Sequence, residues 1–255
     1  MKRRVSSPRF RTSGMWVALG IGVLAALTLG AAQGSGVTPT NLWMDIYGSH
    51  STFAGIPIPA GAYVAVMDPQ GTKCGERVVV TPGQISPVMP CYGDDMLTIG
   101  VDEGAMWNDL LRFSVGASMA TPQPRAKNFS PVMPDTPVRW SALDVWEIDL
   151  YVPPHPLLDI THLPGATRLD WQPAEVAVDS YEVWRSEDPY FIPGDGQSEV
   201  LGTVATGAVP LQWPDSAGAG DPAVNYTYRV LSLNANAEMV GASQAVGEFD
   251  FALFH

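Results

Sequence analysis

The acidic side chains of this chain crowd into one short segment, YGDDMLTIGVDEGAMWND, from Tyr92 to Asp109. Clustered carboxylates can bind Ca²⁺, which takes about six to eight oxygen ligands, or can act as an acid–base pair in a cleft. They also occur in the solvated loops of acidic proteins. The five carboxylates of the segment are Asp94, Asp95, Asp102, Glu103 and Asp109.

The sequence favours a solvated loop joining two strands. An EF-hand needs alternating Asp or Asn ligands, a mid-loop glycine and a terminal Glu, and the segment lacks this pattern. The chain also lacks HExxH, GxSxG, P-loop and GxGxxG motifs, so no enzyme activity is predicted. The four histidines have no ligand spacing: His50, His155, His162 and His255. No cofactor is expected, with one alternative left open, a calcium site formed by Asp94, Asp95, Asp102 and Glu103, with Asp109 as a further ligand.

The two cysteines, Cys74 and Cys91, are separated by two apolar runs and a Pro82-Gly83 turn. A β-hairpin centred on that turn places the cysteines directly opposite each other, at a pair where side chains approach closely. We therefore predict a structural disulfide between Cys74 and Cys91, in an oxidising compartment. The same face of the hairpin would carry Val78, Val80, Ile85 and Met89.

Residues 1–36 have the layout of a secretory signal. A basic segment, MKRRVSSPRFR, precedes an apolar run from Met15 to Gly30 and a stretch of small residues. An uncleaved membrane anchor is the alternative, and it would be the only contact with a membrane. Five of the 14 Lys and Arg lie in this segment, whereas all 26 Asp and Glu follow it. We expect a secreted or cell-surface protein of bacterial type, too acidic to bind nucleic acid.

The remaining chain is predicted to be all-β. Short apolar runs with period-two alternation are separated by turn residues on both sides of a proline-rich spacer, residues 153–156. This pattern predicts two tandem β-sandwich domains of the immunoglobulin or fibronectin type III kind, residues 37–152 and 157–255. The first also contains a proline-rich insert, residues 117–140, that is predicted to be a long loop.

Three motifs in the second half resemble strands B, C and F of a fibronectin type III domain: RLDW, SYEVWR and NYTYRVLSLN. The resemblance implies core positions for Trp171, Tyr181, Tyr226 and Tyr228. It also implies that Tyr226 is the tyrosine corner, whose hydroxyl ties a loop to the backbone. After Asn234 the chain departs from the family pattern, so the loop between strands F and G is expected to differ in shape.

These features predict a non-catalytic interaction and spacer module with a protein or glycan partner. The alternative is a carbohydrate-binding accessory module that works with a separate enzyme, because exposed tryptophans can stack on sugar rings. That alternative requires exposed side chains on a flat or grooved face among Trp43, Trp107, Trp184 and Trp213.

Overall fold

β-Strands form the regular structure of the chain, as the alternation of its apolar residues predicts. The structure, a computed structural model, describes residues 36–98, 100–174, 178–217 and 224–248. No α-helix occurs within these ranges, so the predicted all-β fold is confirmed.

The described residues begin at position 36, so residues 1–35 of the predicted signal or anchor segment lie outside them. His255 also lies outside the described residues. Within the described ranges, no helix has the length and hydropathy of a membrane span.

Ten strands lie in the described part of the first half, residues 36–152. They are β1 (Trp43–Gly48), β2 (Thr52–Phe53), β3 (Ile56–Pro57), β4 (Tyr63–Met67), β5 (Lys73–Val78), β6 (Ile85–Tyr92), β7 (Arg112–Val115), β8 (Ser118–Lys127), β9 (Ser130–Pro131) and β10 (Val145–Val152).

These strands form a sheet whose two end strands are consecutive in the sequence. Its order is β6-β1-β10-β8-β7-β4-β5, and β1 and β2 pair in parallel with successive parts of β10. β8 pairs with β7 through Ser118–Ala120 and with β10 through Thr121–Lys127. At this change of partner the sheet folds into two layers, which enclose one hydrophobic core.

The predicted disulfide is confirmed, but the predicted hairpin around it is wrong. Cys74 on β5 is bonded to Cys91 on β6, with the Cα atoms 4.6 Å apart. However, β5 pairs with β4, and β6 pairs with β1. The disulfide therefore joins the two end strands of the folded sheet.

The face predicted for the cysteine hairpin is also only half right. Ile85 and Met89 are buried, whereas Val78 and Val80 are exposed. The reason is a register shift in the β4–β5 ladder beside Cys74, which changes the phase of the alternation so that Val79, and not Val78 or Val80, enters the core.

The proline-rich insert, predicted to be a loop, contains the ten-residue strand β8. Ala120, Pro124 and Ala126 are buried, and the intervening residues are mostly exposed, which is the period of a strand. Prolines are tolerated in a strand where the missing N–H would face away from the neighbouring strand. Pro122 meets this condition, because its partner Leu150 on β10 donates its N–H to Ser51 Oγ and not to β8. Pro124, opposite Ile148, has the same parity in the ladder.

The described part of the second half has eight strands, which form a fibronectin type III-like sandwich. They are β11 (Leu158–Leu163), β12 (Ala166–Trp171), β13 (Ser180–Ser186), β14 (Glu199–Ala205), β15 (Gln212–Asp215), β16 (Thr227–Leu233), β17 (Met239–Ala242) and β18 (Val246–Gly247).

Sheet β11-β12-β15 packs against sheet β14-β13-β16-β17, and β18 also pairs with β16. Trp171 and Tyr181 meet edge to face between the sheets, with ring centroids 5.7 Å apart. Tyr228 is buried with them, whereas Tyr226 is half-buried at the margin of the same cluster.

An apolar outer face of the second half is covered by the first half. Cross-strand pairing places Trp184, Leu231 and Leu233 on the side of their sheet that faces away from the second half's own core. Leu231 and Leu233 are nevertheless buried, and they belong to the same cluster of apolar side chains as the core of the first half. Trp184 packs against that cluster.

Polar contacts accompany this apolar contact between the halves. Arg229 Nη1 donates to the carbonyl of Ala54 at 3.2 Å, and the N–H of His155 donates to the carbonyl of Ala242 at 2.9 Å. The described residues after position 35 accordingly group as one compact unit. In the described ladders no strand of the first half pairs with a strand of the second, but one cluster of apolar side chains contains residues of both halves. The division into two independent domains therefore stays a prediction.

Replacing both cysteines with Ala should lower the free energy of unfolding by about 3 kcal/mol. The disulfide closes a loop with a sequence separation of 17 and so restricts the unfolded chain. Urea denaturation of the oxidised protein and of the Cys74→Ala/Cys91→Ala variant measures the difference. The unsubstituted protein in reductant is the control, and equal stability of variant and oxidised protein would contradict the prediction.

Candidate functional site

The loop between β6 and β7, residues 93–111, carries the predicted acidic cluster and is called the acidic loop below. Two glycines at its base allow close packing against the sandwich. A Cβ at Gly93 would collide with the Trp140 ring, and a Cβ at Gly104 would collide with the carbonyl of Tyr92. These positions therefore require glycine for steric reasons, and the loop sits directly on the body of the first half.

The base of the acidic loop is also bonded to the core. Ala105 is fully buried and donates its N–H to the carbonyl of Tyr92 at 3.1 Å. Trp140 is buried beneath the loop and donates Nε1–H to the carbonyl of Cys91 at 3.0 Å. Trp140 thus contacts both Cys91 on β6 and Gly93 at the base of the acidic loop.

The five carboxylates of the acidic loop accept hydrogen bonds that hold its shape. Asp94 accepts from the Glu103 N–H (3.3 Å), Asp95 from the Leu97 N–H (3.0 Å), Asp102 from the Thr72 hydroxyl (2.6 Å), Glu103 from the Thr98 hydroxyl (2.7 Å) and Asp109 from the Met106 N–H (2.8 Å). Such side-chain bonds are typical of turns. Within the described ranges no three His, Cys, Asp or Glu side chains group to hold a metal ion. The calcium site stays a prediction.

A buried carboxylate that the sequence did not single out lies beside the acidic loop. Asp68 is 2% exposed and lines a hollow of about 310 Å³ together with Asp94 and Asp102. Burial raises the pKa of Asp68, and the charges of Asp102 and Asp109 raise it further, against hydrogen bonds from the N–H groups of Thr72 and Gly71. The available sequence signal was the turn motif DPQG after an apolar strand.

The acidic loop also exposes apolar side chains, which the sequence interpretation passed over in favour of the acids. Met96 is 91% exposed, Leu97 85% and Trp107 73%. Three further apolar side chains of the loop are exposed to a lesser degree: Val101, Met106 and Leu110. Large exposed apolar groups on a fixed loop are typical of a contact surface.

The four tryptophans named for sugar stacking divide into two pairs. Trp184 and Trp213 are half-buried, so the expectation of exposed side chains there is wrong. Trp184 lies on the predicted outer face but is covered by the first half, and Trp213 faces the second half's core and packs on Gly202. Trp43 and Trp107 are exposed.

Trp43 belongs to an aromatic face on the outside of the first half. It lies directly opposite Tyr92 in the β1–β6 ladder, where side chains stand about 5 Å apart. Tyr47 follows on the same face of β1, about 13 Å from Trp43 along the strand, and its hydroxyl lies 3.4 Å from Glu147 Oε2. Burial, followed by the charge of Glu147, raises the pKa of Tyr47.

A serine, a histidine and an aspartate meet between β1 and β2, but not as a catalytic triad. Ser49 Oγ lies 2.8 Å from His50 Nδ1, and Asp149 Oδ2 lies 3.9 Å from the same ring nitrogen. A triad requires the serine and the aspartate on opposite nitrogens. Buried Asp149 accepts the N–H groups of Ser49 and His50 and pairs with Arg125 at 2.8 Å. It therefore joins β1, β2 and β8 to β10.

A charged network ties four strands of the second half together, β13, β14, β15 and β16. Arg185 Nη1 lies 2.6 Å from Asp215 Oδ2, and Arg185 also pairs with Glu199. The hydroxyl of Tyr228 lies 3.1 Å from carboxylate oxygens of both Asp215 and Glu248. Burial, then the two carboxylates, raises the pKa of Tyr228. Because two carboxylates already neutralise the guanidinium, this group is not arranged to bind an anion.

The tyrosine predicted to be the corner residue takes part in the same network. The guanidinium of Arg185 lies over the ring of Tyr226, 4.2 Å from its centroid, a cation–π contact. A tyrosine-to-backbone hydrogen bond of the kind assigned to Tyr226 is formed by Tyr181, whose hydroxyl accepts the N–H of Ala174 at 2.8 Å.

No protein-family model matches the chain, and no curated protein matches it. Among solved structures it is similar to a two-domain fibronectin type III segment of chicken tenascin, with 14% identity over 74% of this chain and 83% of that chain, at a TM-score of 0.26. A DUF3823 family protein from Bacteroides ovatus matches with 11% identity over 80% and 97%, at a TM-score of 0.30.

A pectate lyase from Erwinia chrysanthemi, in complex with tetragalacturonic acid, matches with 20% identity over 36% of this chain, at a TM-score of 0.30. The chain spans about a quarter of the length of the pectate lyases it matches, 27% of this one. All of these identities are below 25%, and function is inferred below from the residues of this chain itself.

Replacing Asp68 with Asn should stabilise the protein increasingly as pH rises from about 4 to 7. The pKa of Asp68 is raised in the folded state, so its ionisation opposes folding; that penalty is absent at low pH and develops as pH rises through the unfolded and then the folded pKa. Thermal unfolding of the protein and of the Asp68→Asn variant across this range measures the trend.

The control is Asp195→Asn, which should destabilise the protein by an amount that grows as pH rises to about 5 and is constant from there to pH 7. Hydrogen bonds from the N–H groups of Gln197 and Ile192 lower the pKa of Asp195, so its charge favours the folded state once pH exceeds the unfolded pKa. Parallel stability curves for the protein and the Asp68→Asn variant would contradict the prediction.

Proposed function

We propose that this chain is a non-catalytic interaction and spacer module that works outside the cytoplasm. Its two sandwiches hold a contact loop at a fixed position relative to the second half. The observation that carries this proposal is the apolar contact in which Leu231 and Leu233, on the outer face of the second half, enter the core cluster of the first.

A shared core makes the joint between the halves stiff. Domains of one chain move relative to each other unless their interface is large and hydrophobic. Here the interface is apolar at its centre, and its margin is bonded through Arg229 to Ala54 and through His155 to Ala242. A stiff joint suits a spacer, because it fixes the distance and direction between binding surfaces.

The acidic loop supports the interaction part of the proposal. Its carboxylates accept hydrogen bonds from the loop, and its apolar side chains face outward. Function on sandwich folds commonly lies in such loops, since a rigid scaffold positions them. A disulfide is typical of secreted and surface proteins, which supports an extracytoplasmic location.

Spin-label distances across the joint test the spacer role. Labels at Thr121→Cys in the first half and Val209→Cys in the second, both exposed positions, should give one narrow distance distribution. Leu231→Asp should broaden it, because a buried charge destabilises the apolar contact.

Val200→Asp is the matched control, since Val200 is exposed on β14 of the same half, and it should leave the distribution narrow. A broad distribution in the unsubstituted protein would overturn the spacer role. Hydrolase or transferase activity in the purified protein, lost on substitution of a surface residue, would overturn the non-catalytic role.

A carbohydrate-binding accessory module is the second candidate. The observation that favours it is the exposed Trp43 opposite Tyr92 on the outer face of the β6-β1 pair. Aromatic rings on such a face can stack on sugar rings while their polar edges form hydrogen bonds.

Binding to a panel of insoluble polysaccharides and soluble oligosaccharides tests this candidate. If it is correct, Trp43→Ala should weaken sugar binding by about tenfold, whereas Phe129→Ala, at another exposed aromatic residue, should not. Absence of binding across the panel, or equal binding by both variants, would reject the candidate.

A further inference from the structure

The acidic loop combines a fixed backbone, protruding apolar side chains and one sign of charge. Met96, Leu97 and Trp107 are among the most exposed large apolar side chains of the described chain. Scattered exposed residues need no explanation, but several in one short loop are unusual for a solvated surface. Met and Trp are residue types enriched at the centre of interfaces, whereas the acids of the loop are of the type found at a polar rim.

Preorganisation makes these side chains suitable for binding. Hydrogen bonds that the carboxylates accept fix the turns of the loop, and Gly93 and Gly104 allow its base to pack against Trp140 and Tyr92. A partner would not have to order the backbone, which is a major part of the free-energy cost of association. Trp is also the residue type most often found at binding hot spots.

The charge around the apolar group specifies the partner. Residues 92–111 contain five acids and no Lys, Arg or His. Buried Asp68 adds a further carboxylate behind the loop. Two cations lie next to the loop: Arg139 donates Nη1–H to the Asn108 carbonyl, and Arg112 follows Leu111. The charged side chains that the loop itself offers to a partner are therefore all acidic.

We propose that the acidic loop docks a polypeptide surface that bears Lys or Arg side chains around an apolar pocket, and that Trp107 fills the pocket. Complementary charge steers such a partner and sets its register, while the apolar contact supplies affinity. Pairing with a second copy through the same loop would oppose two acidic rims. Insertion into an anionic membrane would place the same carboxylates against lipid phosphates.

This inference deepens the interaction part of the proposed function and rests on it. The probes are fluorescently labelled peptides of about 15 residues in which Lys alternates with Leu, and matched peptides with Gln or Glu in place of Lys. Fluorescence anisotropy with the full chain measures binding. The Lys–Leu peptides should bind at least about tenfold more tightly than either matched set.

Substitutions in the protein locate the binding. Trp107→Ala and Leu97→Ser should each weaken it by about tenfold, whereas Phe129→Ala, at an exposed aromatic residue elsewhere, should not. The Asp95→Asn/Asp102→Asn variant keeps oxygen acceptors but removes two charges. It should weaken binding and reduce its salt dependence. The Asp135→Asn/Asp159→Asn variant, which removes two exposed charges elsewhere, should change neither.

The proposal is overturned if the Lys–Leu peptides bind no better than the Gln–Leu peptides, or if binding persists in Trp107→Ala. It is also overturned if Trp107 is required instead for binding phosphatidylglycerol vesicles or neutral oligosaccharides, which would assign the loop to a membrane or a glycan. The spin-label distances are independent of all these results. If the loop does not bind the peptides but the spin-label distance distribution is narrow, the spacer role is therefore still supported.

Discussion

The disulfide between Cys74 and Cys91 is the constraint on which the first half depends. It joins β5 and β6, the end strands of a sheet that folds back on itself, and so closes the two layers around their core. The carbonyl of Cys91 also accepts the Trp140 indole N–H beneath the acidic loop. Cys91 thus holds the end of the sheet through the disulfide and the base of the acidic loop through its hydrogen bond with Trp140.

The second physical theme is an apolar surface that a fibronectin type III-like sandwich would not keep exposed to water by itself. Leu231, Leu233 and Trp184 lie on the back of its larger sheet, and the first half covers them. At about 25 cal/mol per Å², burial of such side chains favours one arrangement of the halves. The spacer role proposed above depends on this arrangement, because the contact links the two sandwiches through apolar side chains.

Local sequence patterns predicted the strands, because alternation reports which face of a strand each residue occupies. They could not show that the first half covers Trp184, because contact between segments that are distant in the sequence produces no periodic pattern in either segment. The disulfide was predicted correctly, but from a hairpin that does not exist. β5 pairs with β4 and β6 pairs with β1, and the two cysteines still meet because β5 and β6 are the two end strands of the folded sheet. β8 was missed because Ala and Pro fill its inward positions, and Asp68 because its burial depends on a loop about thirty residues later.

The prolines of β8 limit the backbone pairing that this strand can offer to another molecule. A free strand edge that offers alternating donors and acceptors can recruit a strand from another molecule. In the described ladder Pro122 and Pro124 can offer only carbonyl oxygens on the side away from β10. An incoming strand would find no backbone donor to pair with at these two positions. At these positions β8, the longest strand in the described ranges, is therefore a poor template for strand addition from another molecule.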